Sequence, residues 1–317
     1  MRYNKLGKTG IKVSELCFGL LPMGPLQADI PLNDGAAIVK EAISSGVTFF
    51  DTAEMYHTYP YLKQAIEATG KKNDIVVESK SAAKDYAGMQ KAVEEAMREL
   101  GRDYIDVFLL HAARINGDPR EQRPGAWECL QDMKQKGYVR ACGVSTHVVT
   151  TASLLAEGGL DVIFPIFNKT GIGLIDGTAD EMRSAVEKAA AHGIGCLSMK
   201  LLGGGNLLHD YLNAIAFGRQ ISAFASHAIG MVKMEELELN LRLFNDENIE
   251  PREVRDLKSR KELMFSRKHC KHCGRCVERC PNYAIKMIDG QPEVDRRKCL
   301  LCGYCAEACP EFAIRVR

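Results

Sequence analysis

The sequence predicts an α/β protein: a closed (β/α)8 barrel of the TIM type followed by a small C-terminal metal-binding domain. Three observations predict it. Eight short β-rich runs recur through the first 250 residues with amphipathic, helix-length segments between them; those runs are apolar nearly throughout; and eight of the 12 cysteines crowd into residues 270–309. Apolar strands separated by helices belong to a parallel sheet covered by those helices, and eight such units in about 250 residues close into a barrel more readily than they spread as an open sheet.

In order, the runs are VSELCFG (13–19), TFFDTA (48–53), IVVESK (75–80), IDVFLLH (105–111), VRACGVST (139–146), DVIFPIFN (161–168), GIGCLSM (193–199) and SAFASHAIG (222–230). Between them lie segments such as DGAAIVKEAISSG, GMQKAVEEAMRELG and DEMRSAVEKAAAHG. In these, apolar residues return every three to four positions and a glycine closes the helix. The domain boundaries that follow are a barrel over 1–250, a charged linker or helix over 251–265 and a cysteine domain over 266–317.

The totals narrow the function. A net charge of +1 from 42 basic and 41 acidic residues gives no global pull toward nucleic acid or an anionic membrane. No run approaches the roughly 18 apolar residues of a membrane span, and the polar start MRYNKLGKTG lacks the apolar core of a secretory signal. The chain therefore reads as cytoplasmic. In a reducing compartment eight crowded cysteines read as metal ligands, while Cys17, Cys129, Cys142 and Cys196 read as small buried hydrophobes.

Active sites of such barrels lie at the C-terminal strand ends, and four runs deliver polar groups there: Asp51, Lys80, His111 and Ser145. LGKTGIKVSELCFG, FFDTAEMYHTY, ESKS, LLHAAR, GVSTH and IGMVKMEELELNL, in that order, resemble the aldo-keto reductase family over residues 1–245. The resemblance implies a catalytic tetrad of Asp51, Tyr56, Lys80 and His111. Reducing a carbonyl by hydride needs a proton for the oxygen, and Tyr56 is the candidate donor. Lys80 is expected to lower its pKa by stabilising phenolate, Asp51 to hold Lys80, and His111 to orient the carbonyl oxygen.

The resemblance also implies a nicotinamide cofactor across the barrel mouth. No G-x-G-x-x-G follows a strand, so a Rossmann site is not indicated. The implied contacts are Ser145 and Thr146 for the nicotinamide amide, Met199 and Lys200 at the ring, the Gly230, Met231, Val232 and Lys233 segment near the phosphates, and Asn240 at the adenine. Three departures weaken this. Thr146 and the region of Phe164 replace the family's amide-binding Asn and Gln, Met199 replaces a stacking aromatic, and Glu236 stands where members that use NADP place a basic residue. GGGN (203–206) reads as a flexible loop, and Met23, Tyr59 and Trp127 read as either pocket lining or packing.

Cys270, Cys273, Cys276 and Cys280 follow C-x2-C-x2-C-x3-C-P, and Cys299, Cys302, Cys305 and Cys309 repeat it 29 residues on. CGRCVERCPNYAIKM against CGYCAEACPEFAIRV marks a duplicated unit. Paired C-x2-C also suits zinc, but three close cysteines and a fourth before proline, twice, favour iron–sulfur. The pattern resembles the bacterial two-cluster ferredoxin, giving a ferredoxin-like domain. The resemblance implies Cys270, Cys273, Cys276 and Cys309 around one 4Fe-4S cluster and Cys299, Cys302, Cys305 and Cys280 around the other. His269 and His272 read as solvated. The basic excess reaching Lys271, Arg275 and Arg279 reads as charge balance beside anionic clusters, or as a docking face for an acidic carrier.

Clusters pass single electrons and nicotinamide passes a pair, so a flavin, here or on a partner, is one way to join them. The leading expectation is an NAD(P)H-dependent oxidoreductase acting on a small carbonyl or alcohol, with the clusters serving a ferredoxin- or flavodoxin-like redox protein. The alternative is an electron-transfer or docking subunit whose barrel site is vestigial or uses flavin.

Overall fold

A computed structural model describes residues 1–255, 262–311 and 313–316. An antiparallel hairpin, β1 (Tyr3–Lys5) and β2 (Lys12–Ser14), precedes eight parallel strands: β3 (Leu16–Gly19), β4 (Phe49–Asp51), β5 (Val76–Ser81), β6 (Ile105–His111), β7 (Val139–Thr146), β8 (Val162–Pro165), β9 (Gly195–Met199) and β10 (Phe224–Gly230). These pair in sequence order, and β10 closes on β3 through His227 opposite Leu16 and Gly230 opposite Gly19. The (β/α)8 barrel is thus closed. All eight expected runs contain a barrel strand, but 13–19 divides: its first residues belong to the hairpin. Ser14 bends the chain there, its hydroxyl donating to the Leu16 carbonyl 2.6 Å away.

Helices α1 (Leu32–Ser44), α2 (Tyr59–Thr69), α3 (Tyr86–Leu100), α4 (Pro119–Gln122), α5 (Pro124–Gln135), α6 (Val149–Leu155), α7 (Ala179–Ala191), α8 (Tyr211–Arg219) and α9 (Met234–Phe244) fill the connections and follow β10. Their starts are chemically marked. The Asp85 carboxylate accepts from the Gly88 N–H at the start of α3, and Thr178 with Glu181 forms a reciprocal capping box on α7. Inward strand residues Cys17, Phe49, Val76, Val107, Leu109, Ala141, Val162 and Leu197 fill the barrel, and Leu6, Ile11 and Val13 of the hairpin plug its N-terminal end. Met23 and Tyr59 are core, the Tyr59 hydroxyl meeting Ser79 at 2.7 Å, and Trp127 packs against the outer layer.

After α10 (Pro251–Arg255), the expected linker lies in part outside the described residues, at 256–261. The C-terminal domain runs β11 (Leu263–Phe265), α11 (Arg275–Arg279), β12 (Ile285–Ile288), β13 (Gln291–Val294), α12 (Tyr304–Glu307) and β14 (Ile314–Val316), with β11 paired to β14 and β12 to β13. The two halves therefore interleave, as the sequence repeat requires. Among the described residues no helix is long and apolar enough to cross a membrane.

Candidate active site and its cysteine domain

Period-two alternation along β5 sends Val76, Glu78 and Lys80 inward, where Glu78 lies beside Asp51 of β4. The Lys80 ammonium is 1% exposed and bonds to Asp51, to the Thr52 carbonyl at 2.7 Å and to Glu78 at 3.1 Å. Burial alone favours the neutral amine, but the two carboxylates outweigh it and hold Lys80 above the usual lysine range. Glu78, absent from the sequence-based tetrad, is fully buried, and burial raises its pKa against the pull of Lys80. A charged residue inside an apolar strand run was its signal.

Tyr56 ends a single helical turn after β4, and His57 follows with φ 54°. That left-handed conformation costs a non-glycine residue roughly 1–2 kcal/mol. The structure brings Tyr56 to Lys80, whose ammonium stands 5.1 Å from the ring centroid, and to His111, whose ring meets it edge-on at 6.0 Å. The expected direction of tuning is reversed. Burial first and Asp51 second hold Tyr56 well above the usual phenol range, because Lys80 faces two carboxylates rather than the hydroxyl. Burial and the nearby Lys80 charge push His111 well below its usual range, so its imidazole is neutral. Its Nδ1 is buried without a hydrogen-bond partner among the described residues.

A cavity of about 110 Å³ opens from Asp51, Tyr56 and Lys80 past Met199 and Lys200 to Gly230, Val232 and Glu236. Its course matches one wall of the implied nicotinamide site. Lys200 carries φ 64°, and its ammonium makes no hydrogen bond or ion pair among the described residues. The other implied contacts are engaged elsewhere. Ser145 and Thr146 are buried, bonding to the Leu110 carbonyl and the Val148 N–H. Met231 is core, and Lys233 precedes α9 without a side-chain cap. The Val232 N–H donates to the Glu236 carboxylate at 2.7 Å. Asn240 is buried, donating to the Glu236 carbonyl and accepting from the Tyr211 hydroxyl at 2.9 Å. The residues present fit a nicotinamide along the Met199–Lys200 and Gly230–Val232 wall, while the amide and adenine anchors are already satisfied within the protein.

The cysteines fall into two sets. Cys270, Cys273, Cys276 and Cys309 line one small cavity, and Cys280, Cys299, Cys302 and Cys305 line another. Among the described residues no three Cys, His, Asp or Glu side chains converge as closely as a single ion requires. Each set of four surrounds a space instead, the arrangement a cluster needs. The Ala284 and Ala313 N–H groups, 29 positions apart, each donate to a sulfur at 3.3 Å, to Cys280 and Cys309. His269 and His272 are exposed, as are Lys271, Arg275 and Arg279.

The second cysteine run lies on the barrel mouth. Asn206 donates to the Cys299 carbonyl at 2.8 Å, and Gln27 to the Cys302 carbonyl at 3.5 Å. A Cβ on Gly204 would stand 1.8 Å from the Leu300 carbonyl oxygen, and one on Gly303 1.7 Å from that of Leu26. GGGN is therefore no free loop: its glycines give the cysteine domain a seat, with φ 70° at Gly204. Leu300 joins the barrel's interior apolar cluster from above. Arg114 stacks over Tyr283 at 4.0 Å and donates to the Glu278 carbonyl. Tyr304, between Cys302 and Cys305, places its hydroxyl 3.3 Å from that of Tyr56.

A barrel with polar groups gathered at its C-terminal rim has the layout of the enzymes of this fold. Residues 15–254 match the aldo/keto reductase family and residues 262–310 match a 4Fe-4S dicluster domain, so the chain belongs to the aldo/keto reductase family and carries an iron–sulfur domain behind its barrel. An uncharacterized oxidoreductase of Bacillus subtilis is 27% identical over 161 residues, covering 46% of this chain and 49% of that protein. The L-galactose dehydrogenase of Arabidopsis thaliana is 29% identical over 150 residues, covering 44% and 47%. The chain thus spans about half the length of these curated relatives. The L-glyceraldehyde 3-phosphate reductase of Escherichia coli is 23% identical over 270 residues, covering 78% and 75%. In fold, the chain is similar to an aldo-keto reductase from Bacillus halodurans in its holo form, with TM-score 0.64, 18% identity and coverage of 82% and 97%. It is also similar to a Bombyx mori aldo-keto reductase in complex with NADP, with TM-score 0.60, 18% identity and coverage of 80% and 91%. A flavin finds no support in either family match.

Proposed function

We propose that this protein is an oxidoreductase that interconverts a small carbonyl compound and its alcohol at Tyr56, with NAD(P)H along the Met199–Val232 wall and two clusters exchanging single electrons with a redox protein. The observation that carries the reading is the convergence of Asp51, Tyr56 and Lys80 on one cavity, with the His111 ring edge-on to Tyr56 and Tyr304 of the cysteine domain beside it. A nicotinamide held along Met199, Lys200, Gly230 and Val232 would exchange a hydride with the carbonyl carbon, and clusters would exchange electrons singly. Tyr56, protonated across the neutral range, gives its proton to the carbonyl oxygen. His111, neutral, offers a ring N–H to the same oxygen. Lys80, held by Asp51 and Glu78, places a fixed positive charge beneath the developing alkoxide. Cys270, Cys273, Cys276 and Cys309 would hold one cluster, and Cys280, Cys299, Cys302 and Cys305 the other.

Tyr56→Phe tests the reading. It is expected to lower carbonyl turnover about a hundred- to ten-thousand-fold while iron content and visible absorbance stay unchanged. Undiminished turnover would remove Tyr56 as the donor. The internal bonding of Ser145, Thr146, Val232 and Asn240 favours a second reading, an electron-transfer subunit whose barrel takes no nicotinamide. Anaerobic titration with NADH and NADPH separates the two. Binding of either supports the first, with NADH expected to be preferred because Glu236 repels a 2′-phosphate. Binding of neither at millimolar concentration leaves the second.

A further inference from the structure

We propose that Tyr304, a residue of the cysteine domain, is a positioning and specificity-determining residue of the barrel site: it orients the Tyr56 hydroxyl and walls the mouth against bulky substrates. The inference rests on the proposed carbonyl chemistry at Tyr56 and adds a second domain to the site.

Among the described residues, the Tyr56 hydroxyl has one hydrogen-bond partner, Tyr304, which donates to it at 3.3 Å. Lys80 is turned away toward Asp51, Glu78 and the Thr52 carbonyl. A phenol with no polar contact rotates its O–H through a broad arc, whereas one whose oxygen already accepts a bond has its own hydrogen directed elsewhere. With Tyr304 donating, the Tyr56 hydrogen is left for the cavity. Tyr304 therefore selects the geometry in which the proton donor faces a substrate.

The same ring closes over Tyr56 and His111 beside the cavity. Tyr304 is 8% exposed, lies 6.4 Å from the Tyr56 ring and meets the His111 ring edge-on at 6.3 Å. Leu21, Leu26 and Ala53 complete the apolar cluster around it. Its backbone has little freedom to retract, because Gly303 is pressed on the Leu26 carbonyl. The equivalent position in the first cysteine run, 29 residues earlier, is the exposed Arg275. Nothing in cluster binding demands tyrosine there, since both runs keep the same cysteine spacing. The difference follows the neighbour, and the neighbour is the Tyr56 hydroxyl.

The experiment uses the full-length protein purified anaerobically with its clusters, as wild type, Tyr304→Phe and Tyr304→Ala. Butyraldehyde and naphthaldehyde serve as small and bulky carbonyls, with NADH, NADPH or dithionite as reductant. Tyr304→Phe keeps the wall and removes the hydroxyl, so kcat for butyraldehyde should fall about tenfold, the scale of one hydrogen bond, with KM little changed and cluster absorbance intact. Tyr304→Ala should raise the naphthaldehyde-to-butyraldehyde ratio of kcat/KM at least about tenfold. An unchanged kcat in the first variant together with an unchanged ratio in the second overturns the proposal. Should wild type reduce neither aldehyde, the carbonyl reading fails on its own. The wall is then judged by calorimetric binding of isobutyramide and naphthamide: a gain in relative naphthamide affinity in Tyr304→Ala upholds it, and equal shifts overturn it. If Tyr304→Ala loses its clusters, the kcat and KM of Tyr304→Phe decide.

Discussion

The first cysteine run exposes Cys273, turns at Gly274 with φ 75° in open space and shows Arg275 to solvent; in the second, Cys302 packs by Tyr56, Gly303 turns with φ 83° against the barrel and Tyr304 is buried. Pattern and backbone are shared, and environment is not. The comparison separates what a metal-binding loop needs from what a docked loop needs. Cysteine spacing and a left-handed glycine serve both, and the residue after that glycine serves the surroundings. The outer run faces solvent, the inner run faces Tyr56 and His111.

The largest expected break in this comparison comes from the paired glycines. Gly303→Ala drives a methyl into the Leu26 carbonyl and should cost about 3 kcal/mol or more of docking stability, whereas Gly274→Ala meets no atom within 4 Å and should cost only the roughly 1–2 kcal/mol of its backbone conformation. Calorimetric unfolding reads both, and equal losses would erase the distinction between the runs. Next come the residues that differ. Tyr304→Arg buries a charge near Lys80 and His111 and should destabilise by about 3–5 kcal/mol, while Arg275→Tyr on the exposed run should stay within about 0.5 kcal/mol; denaturant midpoints decide.

Acid gives the smallest step per increment. His147, beside Asn282 on the seam, is lowered to about 3 by burial first and the Lys200 charge second. An unfolded histidine titrates near 6.5. The folded state therefore refuses a proton the unfolded state accepts: the stability is complete above about pH 6.5 and declines as pH falls toward 3, by about 1.4 kcal/mol per pH unit from this residue. His147→Gln should flatten that decline in urea titrations at pH 5, and an unchanged slope would assign it elsewhere.

Most of the barrel was legible because burial on both faces makes each strand an apolar run, a property of local sequence. The hairpin was not, because buried apolar residues, Val13 and Leu16 to Phe18, stand on both sides of the Ser14–Glu15 bend and periodicity alone does not show a change of partner. Asp51, Lys80 and His111 were legible as polar interruptions at strand ends, and Tyr56 only through the resemblance to the aldo-keto reductase family. The raised Tyr56 was not, since burial comes first and the Asp51 charge second, and how deeply a side chain is buried between two domains is not a property of local sequence. GGGN and Tyr304 failed for a different reason. Gly204 and Leu300 are 96 positions apart, Tyr56 and Tyr304 248 apart, and neither segment announces its partner. The mismatch of Arg275 and Tyr304 between otherwise similar halves was present in the sequence, and it acquires a meaning once the fold shows which half faces the barrel.

Leu300 has a consequence in time as well as space. A barrel whose upper apolar layer includes a residue 70 positions beyond the end of β10 completes its interior only after all of its own strands have been made. A nascent chain with the earlier strands already paired still lacks its top stopper. Seating of the Cys299–Cys305 loop and completion of the barrel's upper apolar layer are then one event, and a molecule that loses that seat loses the packing over Tyr56 along with it.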